Sequence, residues 1–397
     1  MDTKIHMDPR RARLKLVIII AFSFPSLIFA LVNPRGSATT HDIATWNLQN
    51  FPLQGNISVN YITLLIHDLN LDLICVQEIQ SMDDFNQLVN NLNGWDGFSS
   101  PDGQGDIYYK TGVLYNTRTV QVGEMVQLFA DAEFAFIRPP IEVPVSMIEN
   151  GDTLTFHLIV CHLKAGGCYE EDNLQRRQAA CDSLKTYVER QIAAGEDDKW
   201  LIAGDLNDTL FDSPDCQCFT VFLDDPQNWY FLTYPICEFV GHGSHIESDR
   251  FIDHLLVTTA LREEYIGGRI ESIRLDVEWN DDLYLGYVSD HRPVAAYFPT
   301  GRNAVKEPGW PELPENARLS LFPIPANTSL QIHYSLSAKI DARIAIYNLL
   351  GEEITAFPLE KVEGTIVWND IKVPSAIYLV RLETNEFNLI QRAVILR

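Results

Sequence analysis

From residue 41 to about 300, short apolar runs alternate with longer stretches in which apolar positions recur every three or four residues. The runs Asp42–Asn47, Asp72–Glu78, Tyr108–Tyr115, Thr153–Lys164, Lys199–Asn207, Phe251–Val257 and Pro293–Phe298 are rich in β-branched and aromatic residues and read as buried strands. Helical spacing covers Val59–Leu69, Asp83–Leu92 and Asn173–Ala194. This alternation predicts a mixed α/β unit whose sheets are covered by helices. Residues 301–318 then collect Pro308, Gly309, Pro311 and Pro314 among polar residues and read as a stiff linker. From 319 to 397, Leu330–Tyr334, Ala342–Tyr347, Thr365–Trp368 and Ile377–Leu382 are separated by Asn, Gly and Pro turns, which predicts a small all-β sandwich. At the other end, Arg10, Arg11, Arg13 and Lys15 precede an apolar run from Leu16 to Val32, broken only by Ser23, Pro25 and Ser26. It reads as an export leader over residues 1–38, cut at Gly36-Ser37-Ala38 or earlier at Ile28-Phe29-Ala30, with Met7 as an alternative start. The competing reading, an uncleaved anchor, meets a run short for a bilayer and a proline inside it.

Charge divides the chain in the same places. Of the net −24, residues 1–40 carry +4, residues 41–314 carry −27 and residues 315–397 carry −1. A middle unit this acidic repels polyanions at long range, so a generally basic surface is excluded as the source of affinity for nucleic acid or anionic lipid. A phosphate ester must be gripped by local Arg, Lys or metal. Seven cysteines are present. Cys75 and Cys161 lie in strand-like runs and belong to the core. In polar stretches, Cys168 is free to pair with Cys181, and Cys216 or Cys218 with Cys237, with at least one thiol left over.

Chemistry collects at strand ends. Asn47, Glu78, His162, and Asp205 with Asn207 each close an apolar run, and Asp253-His254 and Asp290-His291 stand beside the last two. One such residue is usually a cap or a loop-ordering acceptor. Six acid, amide or imidazole groups ending strands that can share one sheet edge point to a common crevice, because burying them unpartnered costs several kcal/mol. His254 follows Asp253 and points to the opposite side of its strand, so it is set aside.

The order and wording of these residues resemble the endonuclease/exonuclease/phosphatase superfamily over about residues 41–299. The most specific parts are Gly204-Asp205-Leu206-Asn207 and Ser289-Asp290-His291-Arg292-Pro293, supported by Trp46-Asn47, Gln77-Glu78 and His162-Leu163-Lys164. The resemblance implies a four-layer α/β sandwich, two mixed β-sheets flanked by helices, as the catalytic domain over 41–300. It also implies phosphoester hydrolysis with Mg²⁺, Mn²⁺ or Ca²⁺. In that chemistry Glu78, Asn47 and Asp290 are the expected cation ligands, since hard cations take oxygen donors. His291 is the expected base towards water, oriented by Asp290 or Asp253. Asp205 and Asn207 would position nucleophile and phosphate, and His162 would donate near the phosphate. Tyr109-Lys110-Thr111-Gly112-Val113-Leu114-Tyr115 and Phe136-Ile137-Arg138-Pro139-Pro140 look like segments of pancreatic-type deoxyribonucleases. There Tyr109 would support the catalytic His and Arg138 would grip a DNA phosphate. Thr111 replaces a Glu that pairs with the first catalytic His of those nucleases, and Gln80 lacks the positive charge found after the metal-binding Glu. Of the adjacent Arg176-Arg177, Arg176 is expected near the phosphate groove; the alternative is a solvated helix face.

The expected activity is therefore a secreted nuclease acting on extracellular DNA or RNA. Sphingomyelinase-like or small-phosphoester hydrolysis and a silent surface-binding protein are the alternatives. For a lipid substrate, Asn228-Trp229-Tyr230-Phe231-Leu232-Thr233-Tyr234 is the candidate segment to reach a membrane, and it reads equally as core. Three C-terminal motifs, Leu321–Asn327, Ile344–Gly351 and Ser375–Arg381, resemble the sorting domain of the type IX secretion system of Bacteroidota over residues 319–397. Export through the periplasm to the surface or beyond follows from that resemblance. The secretion machinery is then a partner, and the mature chain is expected to be a monomer without stable membrane insertion.

Overall fold

The computed structural model describes residues 31–101, 109–170, 172–237, 241–301 and the strand-bearing stretches between 318 and 395. The chain divides into two compact units after Arg302. In the first, one sheet is built from β1 (Thr40–Phe51), β2 (Leu73–Ile79), β3 (Trp95–Ser99), β4 (Lys110–Asn116) and, from much later in the chain, Arg269–Ser272 and Val294–Pro299. The other holds β5 (Val120–Val122), β6 (Val126–Gln127), β7 (Ile141–Glu149), β8 (Asp152–His162), β9 (Trp200–Asp205), β10 (Trp229–Phe231) and β11 (Asp253–Thr258). With Arg269–Ser272 as β12 and Val294–Pro299 as β13, the orders are β12-β13-β1-β2-β4-β3 and β10-β11-β9-β8-β7-β5, β6 lying beside β7. Both sheets are mixed: β1 runs parallel to β2, and β8 to β9, amid antiparallel neighbours.

Alternation along each strand makes the layers. Ile43, Leu73, Cys75, Leu158, Val160, Leu201 and Ala203 share one apolar cluster between the sheets. Their neighbours Ala44, Trp46 and Ile74 pack outward on helix α1 (Asn56–Leu69) and α2 (Met82–Asn91). Ile159, Cys161, Trp200 and Ile202 pack outward on α3 (Asn173–Ala194) through Ala180, Leu184 and Val188. Strands buried on both faces are why the runs read as continuous rather than alternating. Strand β7 is absent from the sequence-derived runs because Pro140, Pro144 and two glutamates break its apolar pattern. Pro144 is tolerated where the edge pairing of β7 changes from β5 to β6.

In the second unit β14 (Arg318–Phe322), β15 (Ser329–Ser335) and β18 (Glu363–Asn369) form one sheet. A second contains β16 (Ala342–Tyr347), β17 (Glu353–Pro358), β19 (Ala376–Thr384) and β20 (Asn388–Ile395). Leu330, Ile332, Ile344, Ile346, Tyr378 and Val380 from both sheets fill a common core. The linker over 302–317 and the leader up to residue 30 lie outside the described residues. Among the described residues no helix is long and apolar enough to cross a membrane.

At the end of the sandwich where β1 begins, Asp42 is 1% exposed and its Oδ1 has no partner. Burial, and the neighbouring Asp72, push its pKa up to about 8 against a reference of 3.8. The fold thus keeps a proton that the unfolded chain releases above pH 4, so this carboxyl costs stability progressively as pH rises from about 4 to about 8. Asp42→Asn keeps an oxygen for the Ser37 N–H, which Asp42 Oδ2 accepts at 3.0 Å. The variant is expected to be more stable than the parent by roughly 2–5 kcal/mol at pH 8, the gap closing towards pH 4. Urea unfolding at both pH values checks this; a gap independent of pH would contradict it.

Candidate active site

Parallel pairing of β1 with β2 and of β8 with β9 carries their last residues to one edge, and antiparallel β11 and β13 begin there. The edge therefore receives Asn47, Glu78, His162 and Asp205 from strand ends, Asp253 from a strand start, and Asp290 with His291 from the turn before β13. Gly204 is required for this. A Cβ on it would stand 1.9 Å from the Cys161 carbonyl oxygen, so only glycine lets β9 lie close enough to set Asp205 opposite His162. Backbone strain gathers at the same edge: Gln49, Asn50, Glu78 and Asn207 adopt φ of 41°, 53°, 62° and 55°. Each costs on the order of 1 kcal/mol, which the surrounding pairing must hold.

The side chains form one connected cluster. Asn47 is 1% exposed and donates through Nδ2 to Glu78 Oε1 at 3.3 Å and Asp205 Oδ2 at 3.0 Å, while its Oδ1 accepts the Gln49 N–H at 2.9 Å. Glu78 Oε2 accepts the Asn50 N–H at 2.9 Å. His162 Nε2 lies 3.5 Å from Asp205 and 3.9 Å from Glu78. Asp205 Oδ1 accepts the Asn207 N–H at 3.0 Å, and Asn207 Nδ2 donates to the Leu163 carbonyl at 3.1 Å. On the far side His291 Nδ1 meets Asp253 Oδ2 at 2.7 Å, and its Nε2 stands 3.9 Å from both Asp205 and Asp290. Of the two acids proposed to orient His291, the geometry selects Asp253. Gln49 donates to Asp290 at 2.9 Å.

Charge sets the protonation. Burial disfavours the charged form of His291, but Asp253, Asp205 and Asp290 outweigh it and push its pKa up to about 10. Burial and then Asp253 push Asp205 up to about 7. His162 is held well below the ordinary imidazole range by burial, Arg138 and His291, so it is neutral at pH 7. Its Nδ1 is buried without a partner, and so is Thr111 Oγ1. Buried acids in this number fit a divalent cation: donor atoms of Asp205, Asp253 and His291 lie within 4.8 Å of one another, a grouping that differs from the Glu78, Asn47 and Asp290 expected from the sequence, and Asp253 Oδ1 has no hydrogen-bond partner.

A cavity of about 270 Å³ opens over the cluster, lined among others by Tyr109, Arg138, Asn207, His245 and Asp290. Arg138 lies 6.0 Å above the Tyr109 ring and reaches the His162 and Leu163 carbonyls at 3.5 and 3.3 Å. Arg176 is not brought here. It donates to the Glu133 carbonyl, pairs with Asp172 at 3.8 Å and stacks on Phe134, whereas Arg177 turns inward on α3. There Arg177, 1% exposed, binds Asp208 at 3.1 Å and the Lys164 and Gly166 carbonyls at 3.0 Å, bracing the loop that follows His162. The loop is also tied by a disulfide from Cys168 to Cys216, not to Cys181, because Cys181 lies on the core face of α3. Cys218 and Cys237 are outside the disulfide, and Cys237 Sγ donates to the Thr233 carbonyl at 3.1 Å.

Gln49 and His245 are among the cavity residues that sequence reasoning missed. Gln49 sits in the strained turn after Asn47. His245 belongs to a loop fixed by contacts distant in sequence: Arg292 N–H donates to the Ser244 carbonyl at 2.7 Å, and Ile246 N–H to that of Asp290 at 2.8 Å. Its Nδ1 accepts the Ser248 N–H at 3.2 Å, which leaves Nε2 facing Asp290 at 3.8 Å. A histidine in the run Gly241-His242-Gly243-Ser244-His245 gives no periodic signal. His254 is structural as expected, fully buried between Thr233 Oγ1 and the Asp208 carbonyl.

Sandwich and acid–imidazole edge together define a metal-assisted phosphoester hydrolase, and sequence comparison agrees. The model of the Endonuclease/Exonuclease/phosphatase family matches residues 44–291, and that of the Secretion system C-terminal sorting domain matches residues 320–396. The chain belongs to the first family and carries the second as its export signal. No curated protein matches it by sequence. Among solved structures it is similar to a humanised D. rerio TDP2 with 14 mutations (16% identity, 66% of this chain and 100% of that one, TM-score 0.49). It is also similar to the human Nocturnin catalytic domain (16%, 66% and 95%, 0.46) and to the mannosyl-6-phosphatase Bt3783 of Bacteroides thetaiotaomicron (14%, 64% and 98%, 0.44).

Proposed function

We propose that this exported hydrolase is a divalent-metal-dependent phosphodiesterase whose substrate is extracellular nucleic acid. The observation that carries the reading is the Asp253–His291 pair at 2.7 Å with His291 Nε2 turned towards Asp205 and Asp290. Asp253 fixes the Nδ1–H, so once Nε2 has released the proton that the surrounding acids hold there, it is the atom that takes one from the attacking water. Asp205 and Asn207 orient that water and the scissile phosphate. His162 donates a hydrogen bond to a phosphoryl or leaving oxygen, and Arg138, braced by Tyr109, holds a phosphate. Glu78, Asn47 and Asp290 hold Mg²⁺ or Mn²⁺, with Ca²⁺ a third choice; when bound, the cation supplies positive charge for the phosphoryl oxygens.

Tyr109 and Arg138 beside the acid cluster support a diester in nucleic acid. A small phosphoester is the second reading, favoured by the −27 carried by residues 41–314 and by the modest cavity. The lipid reading loses most of its segment: Trp229 and Phe231 are 3% exposed and Leu232 is fully buried, so the centre of the aromatic stretch is core and Tyr234 is its one large hydrophobic at the surface, 47% exposed. Purified protein should nick plasmid and cleave bis(p-nitrophenyl) phosphate with Mg²⁺ or Mn²⁺, stop in chelator, and leave sphingomyelin intact. Turnover of monoesters alone would transfer the assignment to small phosphoesters, and no turnover with any cation would overturn it.

A further inference from the structure

Residues 31–38 are packed into the catalytic unit. Val32 is 5% exposed and shares an apolar cluster with Leu65, Leu69 and Leu71. Asn33 donates its N–H and Nδ2 to Glu278 Oε1 at 2.6 and 2.7 Å, and Arg35 pairs with Glu278 and, at 3.6 Å, with Glu271. The Arg35 and Gly36 N–H groups both donate to the Leu69 carbonyl, at 2.9 and 3.1 Å. A Cβ on Gly36 would stand 1.8 Å from the Asn70 carbonyl oxygen, so the strap seats backbone on backbone. At its start, Leu31 N lies 2.6 Å from Asp68 Oδ2, a carboxylate whose side chain is 8% exposed.

We propose that the export leader is removed between Ala30 and Leu31, and that the new amino terminus docks on Asp68. Leader-peptidase hydrolysis adds one water across the Ala30–Leu31 peptide bond. The Ala30 carbonyl leaves as the carboxylate of the released leader, and the Leu31 nitrogen becomes an ammonium already within bonding distance of a poorly hydrated carboxylate. Such a charge-assisted pair is stronger than the amide contact it replaces. Cutting after Ala38 removes every contact named above. It uncovers the apolar surface beneath Val32 and takes from Asp42 the Ser37 N–H. Of the two cleavage points the sequence offers, only the earlier leaves the strap in place. Small residues at 36–38 serve close packing instead: Gly36 for the Asn70 contact and Ala38 as the acceptor of the Asn150 amide.

The full chain, secreted by a host with type IX export, should give Leu-Val-Asn-Pro-Arg on N-terminal sequencing. A sequence starting at Thr39, or at Met1 or Met7, overturns the proposal. A second measurement tests the docking itself. In the exported protein Asp68→Asn should lower the melting temperature by several degrees, and deletion of residues 31–38 should lower it at least as far. Asp68→Asn added to the deletion should then have no further effect. Equal melting of all these forms would overturn the docking.

Discussion

Asp253→Asn is expected to lower kcat on a phosphodiester by about 10²–10⁴-fold at saturating Mg²⁺, with little change in KM. The amide fills the same fully buried space, so the fold should hold. What changes is the proton on His291. A carboxylate at 2.7 Å accepts only, which places hydrogen on Nδ1 and makes Nε2 the nitrogen that gives up and takes back a proton; an amide can donate, and then the single hydrogen of the neutral ring sits on Nε2, which cannot accept one from water. Burial alone lowers the affinity of His291 for a proton, and the acids around it restore and exceed it. Removing the nearest acid takes away most of that support. His291→Gln should cost as much, and the double variant little more than the worse single one, because the two side chains act as a unit. Steady-state kinetics beside thermal melts decide the matter. A loss below about tenfold in Asp253→Asn, with unchanged melting, would remove His291 from the role of base.

What could be read from the sequence, and what could not, follows from the range of the forces involved. Asn47, Glu78, His162 and Asp205 were legible because each ends an apolar run, and a strand buried on both faces has only its ends free for polar chemistry. That they meet is a consequence of two parallel pairings, β1 with β2 and β8 with β9, which local pattern does not encode but which a βα alternation favours. Helical phase was misread in detail. Arg176 and Arg177 are about 100° apart on α3, and the inward one is braced by Asp208 while the outward one meets solvent and Phe134. Cys181 lies four residues beyond Arg177, on the same inward face, which is why Cys168 found Cys216. His245 was invisible because its loop is held by Arg292 and Asp290, more than forty residues on.

Asp205→Asn should change activity and stability in opposite directions. Without metal the site holds Glu78, Asp205, Asp253 and Asp290 close together, and the pKa of Asp205, pushed up to about 7 by burial and Asp253, records the unfavourable free energy of charging it there. An amide accepts the Asn207 N–H as before and loses the Asn47 Nδ2 hydrogen bond, but removing one buried negative charge outweighs that loss, so the chelated variant should melt above the chelated parent. A cation that binds only the folded form raises stability by mass action, so Mg²⁺ or Mn²⁺ should stabilise the parent more than the variant. Turnover should fall by at least about 10³-fold, since the residue proposed to align water and phosphate is lost together with part of the field that attracts the cation. Glu78→Gln separates these effects. It keeps an oxygen for the Asn50 N–H but weakens the hold on the cation, so activity should recover at Mg²⁺ concentrations roughly 10–100-fold higher, whereas that of Asp205→Asn should not. Melting curves and rates across a Mg²⁺ series test all three forms. An Asp205→Asn protein that melts lower than its parent in chelator, or that regains activity with added Mg²⁺, would mean that Asp205 supports the fold rather than the reaction.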